Sequence, residues 1–283
     1  MNCAILLISC PDQKGITASV ANFVFQSNGN IVHADQHIDE QANTFFMRIE
    51  WTLTDFSLSR EEIARAFSPI AEKFGMKWDL FFTDKSLKIA IFVSRHLHCL
   101  HDLLYRQRAG HIVCDMPLII SNHPDARGMA REFGIDFHEI PILRENKEEQ
   151  ERRQLEILEA KGIDLIVLAR YHQILTKQFV DVFADKIINI HHSFLPAFAG
   201  RNPYSQAYQK GVKIIGATSH YVTEALDEGP IIEQDTVRIS HRDALSDLVR
   251  KGEDLEKIVL SRAVRLYVQR KILRYGNKTV IFD

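Results

Sequence analysis

Cysteine is scarce in this chain. There are four in 283 residues: Cys3, Cys10, Cys99 and Cys114. None stands at the short spacing of a zinc knuckle, so a cysteine-built metal site is excluded, and free thiols in a reducing cytoplasm are expected. Long apolar runs are missing too. No stretch approaches the roughly 20 residues that span a bilayer, which leaves no membrane partner to expect. A surplus of basic charge is also lacking: Lys and Arg total 35 against 37 Asp and Glu, so no global field draws nucleic acid. Met1-Asn2-Cys3 runs straight into a strand pattern, without the basic stretch and cleavage site of a secretory leader, and a cytoplasmic location is expected. Internal repeats and low-complexity segments are absent.

What is present divides in two. Ala4 to Ser9 is apolar and stops at Cys10-Pro11-Asp12. Ile16, Val20, Phe23 and Val24 then repeat at helical spacing, and Asn28-Gly29-Asn30 ends that helix. Ile31 to Ile38 and Thr44 to Leu53 alternate as strands. In the second, Phe45, Met47, Ile49 and Trp51 share one face, with Phe46, Arg48 and Glu50 on the other. Ser59-Arg60-Glu61-Glu62 is a capping box opening a helix through Ile63, Phe67, Ile70 and Phe74. Lys77 to Phe82 makes a fourth strand. The order βαββαβ predicts a ferredoxin-like sandwich with an antiparallel sheet.

With Ser9-Cys10-Pro11-Asp12 and Gly15-Ile16 at the helix start, this half resembles an ACT domain, a small regulatory module. The resemblance implies edge-to-edge pairing, hence a homo-oligomer. It implies either an amino-acid effector at the pair or a dimerisation role without ligand. Thr83-Asp84-Lys85-Ser86 is a polar linker, so the ACT-like domain is expected over 1–83 and a second domain over 84–283.

The second part alternates. Lys88 to Ser94, Leu118 to Ser121, Phe137 to Pro141, Leu165 to Leu168 and Ile187 to Asn189 read as buried parallel strands. Helices are expected at Ala126 to Phe133 and Lys147 to Ala160, with another through Leu100, Leu103 and Leu104. The charged run Arg144 to Arg153 reads as an exposed helix face. Ser240 is expected to cap a long helix from near Arg242, with Gly252 a candidate break. Lys278 to Phe282 reads as a terminal strand. This pattern predicts a doubly wound, mostly parallel α/β domain.

Candidate chemistry collects where one strand runs out. Asn189-Ile190-His191-His192-Ser193-Phe194-Leu195-Pro196 follows a buried run, and Pro196 and Gly200 break regular structure after it. Residues two apart on extended chain face one way, so Asn189 and His191 point into one space, and His192 points away. A further strand, Gly216 to Val222, leads to Asp227 on a loop before Gly229-Pro230. An amide suits a developing oxyanion, an imidazole moves protons near neutral pH, and a carboxylate orients the ring or holds water.

These segments resemble the folate-dependent formyltransferase family, whose pattern is Asn-x-His, then Ser-x-Leu-Pro, then an Asp-x-Gly loop. Asn189, His191, Ser193, Leu195, Pro196, Asp227 and Gly229 fit it. The resemblance implies Asn189, His191 and Asp227 as catalytic residues. It implies a folate contact at His172, Gln173, Ile174 and Leu175, where the family more often carries Met and Arg at the first two. Thr223 lies on the loop covering the ring's other edge, and His220 holds Asp227. The first βα turn, Ser94-Arg95-His96-Leu97-His98-Cys99, departs from the family. Residues 88–109 contain no glycine, so a backbone cradle for a phosphorylated acceptor is not expected. Arg95 is a candidate for binding formate or a plain surface cation. His96, His98 and His101 are read as surface residues rather than a metal cluster, and no metal is expected.

The chain as a whole most resembles the members that hand the formyl group to water. The implied reaction is 10-formyltetrahydrofolate to formate and tetrahydrofolate, supplying formate for purine synthesis and balancing the one-carbon pool. Folate is then substrate and no cofactor is needed. Asn189 and protonated His191 would hold the oxyanion, with Asp227 positioning the water or taking its proton. Transfer of the formyl group to a small amine is the alternative.

Overall fold

The computed structural model describes residues 2–197 and 203–282; Gly200, read above as a breaker, lies outside them. The chain forms two compact units. The first holds the residues as far as Ser86 together with 269–275 and 280–282, and the second holds Leu87–Val268 with Gly276–Thr279.

The first unit runs β1 (Cys3–Pro11), α1 (Ile16–Gln26), β2 (Ile31–Asp39), β3 (Thr44–Thr52), α2 (Arg60–Phe74) and β4 (Lys77–Phe82). Its sheet is ordered β2-β3-β1-β4, and every pair is antiparallel. This is the expected βαββαβ order. Leu6 and Ile8 of β1 meet Met47, Ile49 and Trp51 of β3 and the apolar stripes of α1 and α2 in one core. The Glu62 carboxylate accepts from Ser59 N–H at 2.8 Å, half of the capping box.

The second unit runs β5 (Lys88–Val93), α3 (His98–Arg108), β6 (Asp115–Ser121), a 3-10 turn at Pro124–Ala126, α4 (Arg127–Phe133), β7 (Asp136–Glu139), α5 (Lys147–Ala160), β8 (Leu165–Ala169), α6 (Lys177–Val182), β9 (Ile187–His191), α7 (Pro203–Lys210), β10 (Ile214–Tyr221), β11 (Ile231–Arg238) and α8 (Leu245–Val268). The seven-stranded sheet is ordered β11-β10-β9-β8-β5-β6-β7. Strands β5 to β9 are parallel; β10 and β11 add antiparallel to the β9 edge. Strands β5 and β8 are almost wholly buried, as a sheet covered on both faces requires.

Several details differ from expectation. Glu151, within the charged run, is buried and accepts from Thr176 N–H and its hydroxyl, fixing the start of α6. Ser240 opens a turn, its N–H donating to Asp243, and α8 begins only at Leu245. Gly252 does not break α8. A Cβ there would sit 2.1 Å from the Tyr204 hydroxyl, so the glycine makes room for that ring.

The chain ends in a two-stranded hairpin, β12 (Ile272–Tyr275) and β13 (Lys278–Ile281). The sequence reading put all of 84–283 in the second domain, yet most of this hairpin packs with the first unit. Leu273, Val280 and Phe282 cover Leu7 and Phe46, the face of the first sheet away from its helices. Arg48, also on that face, donates to the carbonyls of Gln269 and Arg270 at 3.2 and 3.0 Å. Among the described residues no helix is long and apolar enough to cross a membrane.

Candidate active site

Strand β9 delivers Asn189 and His191 two residues apart, on one face of the sheet's carboxyl edge. Its antiparallel neighbour β10 sets His220 opposite Asn189 and Thr218 opposite His191. That register carries the cross-strand contact: Asn189 Nδ2 lies 3.2 Å from His220 Nε2. His220 Nδ1 lies 2.9 Å from the Tyr221 carbonyl, which can only accept. In the neutral ring, Nδ1 therefore donates there and Nε2 accepts from the Asn189 amide.

The loop after β9 is tied down by a residue the sequence reading did not single out. Thr218 Oγ1 donates to the Ser193 carbonyl at 2.8 Å and accepts from Leu195 N–H at 3.0 Å. Gln234 Nε2 donates to Thr218 Oγ1 at 2.9 Å and to the Leu195 carbonyl at 3.1 Å. The Ser-x-Leu-Pro stretch thus hangs from β10.

Asp227 arrives on the loop after β10 in a left-handed conformation, φ 57°. Gly229 makes this loop possible. A Cβ there would lie 1.8 Å from the Tyr221 carbonyl oxygen, which is backbone and cannot yield. So held, Asp227 Oδ2 lies 3.2 Å from His191 Nδ1, and Oδ1 lies 3.7 Å from His220 Nε2. Burial alone would raise the Asp227 carboxyl. The His191 and His220 rings outweigh burial and hold it well below the usual carboxylate range. His191 is 5% exposed, and its Nε2 has no hydrogen-bond partner among the described residues. The ring is held at one nitrogen and unpartnered at the other.

These groups line a cavity of about 740 Å³. Every expected site residue lines it: Asn189, His191 and Asp227, then His172, Gln173, Ile174, Leu175, Thr223 and His220. His220 hydrogen-bonds Asn189 and sits farther from Asp227 than the expected bond, so it orients the amide first. His192, expected to face away, lines the same cavity. Arg95 is exposed and is not part of the wall. Burial, then the Arg170 charge, lowers His172 to about 4 and His192 to about 3, so both rings are neutral at neutral pH.

A second cluster was not foreseen. Glu256 of α8 is 0% exposed, accepts from His98 Nε2 at 2.8 Å and from the Tyr204 hydroxyl at 2.5 Å, and lies 3.5 Å from Arg170 Nε. His98 is thus drawn inward rather than solvated. The one signal in the sequence is position: Glu256 falls on the buried stripe Gly252, Leu255, Val259 of α8. Ligand atoms of His98, Cys99 and Glu256 lie within 4.8 Å of one another, close enough to share a metal ion. Burial, then the Glu256 charge, pushes the Cys99 thiol well up, so it stays protonated and is a poor ligand.

An α/β unit with amide, imidazole and carboxylate converging on a cavity, after a βαββαβ unit, finds its counterpart among known proteins. The chain belongs to the formyl transferase family, which its residues 87–264 match, while residues 4–70 match the ACT domain. It is 57% identical over 279 residues to a formyltetrahydrofolate deformylase of Synechocystis sp., covering 99% of this chain and 98% of that one. The solved structure of a formyltetrahydrofolate deformylase from Pseudomonas syringae pv. tomato superposes with a TM-score of 0.97 at 44% identity, covering 100% of this chain and 95% of that one. A glycinamide ribonucleotide transformylase 1 from Symbiobacterium toebii superposes at 0.66 and 32% identity, over 72% of this chain and 98% of its own. The first two likenesses span both units; the third does not.

Proposed function

We propose that this chain hydrolyses 10-formyltetrahydrofolate to formate and tetrahydrofolate. The observation that carries the reading is the meeting of Asn189, His191 and Asp227 in the cavity that His172 to Leu175 also line. The relatives that match it from end to end are named for deformylation, so the amine-transfer alternative is not favoured.

The geometry suggests a division of labour. Asp227 is held too far below the ordinary carboxylate range to be an effective base near neutrality. It therefore accepts from His191 Nδ1–H and fixes that ring, leaving Nε2 for the reaction. Water attacks the formyl carbon while Nε2 takes its proton, and Asp227 stabilises the imidazolium that forms. Asn189 has two amide hydrogens. One is engaged by His220, and the other donates to the oxyanion. The tetrahedral intermediate collapses as the C–N10 bond breaks and N10 takes the proton from His191. No metal or cofactor enters the scheme.

The folate side is served by the 172–175 segment and Thr223, which line the same cavity. The ACT unit is read as pairing edge to edge between copies of the chain in a cytoplasmic homo-oligomer, with an amino-acid effector at the pair and dimerisation without ligand as the two alternatives. The deciding assay supplies 10-formyltetrahydrofolate and no acceptor. Formate and tetrahydrofolate should appear in equal amounts, at a rate that a chelator leaves unchanged. Product formed only after an amine is added would overturn the reading.

A further inference from the structure

The sheet of the second unit changes direction between β5 and β8. From β5 the chain moves outward through β6 and β7, and β8 is then laid on the other side of β5. The crevice beyond the carboxyl ends of such a pair is where open α/β sheets seat a ligand. Here the two carboxyl ends are tied together beside the cavity. Ser94 N–H, after β5, donates to the Arg170 carbonyl at 3.3 Å, and His172 N–H donates to Ser94 Oγ at 3.1 Å.

Arg170 follows β8 with φ 63°, a conformation that a side chain disfavours and glycine adopts freely. Its side chain is only 10% exposed, on the cavity wall, with its charge set against the buried Glu256. A buried ion pair adds little stability over apolar side chains of the same size. A left-handed arginine is unfavourable as well, and such residues persist where they serve a site. Both costs fall on one residue. The wall continues to the reacting centre through His192, whose ring lies 5.8 Å from Tyr204 and 5.2 Å from His191.

We propose that Arg170, ion-paired with Glu256, fills the cavity wall beside the first βα turn, so that water alone among nucleophiles reaches the formyl carbon. The inference rests on the hydrolytic reading above and names the part of the fold that enforces it. With that side chain removed, an amine nitrogen bonds the formyl carbon, the C–N10 bond breaks, and the proton the amine loses passes to N10.

The test supplies 10-formyltetrahydrofolate with excess glycinamide and measures formate and formylglycinamide together. The wild-type chain should give formate whatever the amine concentration. Arg170→Gly places the residue best suited to φ 63° there, and Glu256 keeps its bonds to His98 and Tyr204. This variant should raise the formylglycinamide share at least about tenfold, the discrimination a modest change of pocket shape provides. Glu256→Gln, which loosens the arginine without removing it, should shift the share the same way by less. Formate release from folded Arg170→Gly with no gain in formylglycinamide would overturn the proposal. So would wild-type transfer to glycinamide in proportion to its concentration, a result that stands whether or not the variants fold. Wild type that releases no formate in water would instead sink the hydrolytic reading.

Discussion

Asp227 and Glu256 are carboxylates of the same α/β unit, both held by histidine and both kept ionised against burial. Their surroundings differ in one respect. Glu256 is sealed at 0% exposure, with a ring nitrogen, a phenol and a guanidinium gathered around two oxygens. Asp227 keeps 14% of its side chain exposed and faces two imidazoles, one of which has its far nitrogen unpartnered among the described residues. A carboxylate surrounded by donors can only hold its neighbours in place. A carboxylate that restrains a ring still free at the other end hands its charge on to whatever that ring touches. The same residue chemistry builds a sealed cluster in one place and the candidate reaction centre in another.

The sharpest way to break this comparison is Asp227→Asn. It keeps the shape and removes the charge behind His191, and formate release should fall at least about 100- to 1,000-fold, as for loss of an oxyanion donor. Turnover at the wild-type rate would end the assignment. Asn189→Ala should fall within that same range of about 100- to 1,000-fold, read as kcat with little change in KM. Glu256→Gln should be felt in stability instead. It leaves Arg170 buried without its countercharge, and urea unfolding should show a loss near the low end of about 3–5 kcal/mol, since the amide still serves His98 or Tyr204. A large rate loss without a stability loss would reverse the roles given to the two acids. The smallest effect is in pH. The Asp227 pKa is depressed on folding, so its stabilisation is whole above the unfolded value of about 3.9 and drains away as pH falls through and below it. The stability gap between wild type and Asp227→Asn should therefore narrow below about pH 4, and a gap constant with pH would deny the depression.

The shared direction of Asn189 and His191 is legible in the sequence because strand periodicity is a local property, whereas Asp227 joins them there only through the family resemblance. The βαββαβ order and the parallel strands are legible for the same reason. The Glu256 cluster is not, because it joins residues from a βα turn, the exit of β8, α7 and α8, far apart in the chain. Arg170 gives no sign of its positive φ in its neighbours. Helix α7 is eight mostly polar residues and β12 is four, each too short to show a period. The misplaced C-terminal segment has a similar cause. Its strands alternate correctly, but nothing local says which sheet Leu273 and Phe282 will cover.

That cover has a consequence for biogenesis. Leu7 and Phe46 are made before the side chains that shield them, which belong to residues 273–282 and follow the residues of the α/β unit as far as Val268. Of the two units, the one begun first is finished second. Until those residues are made, one greasy side of its sheet lacks that cover, and a chain stopped at Val268 would carry that surface bare.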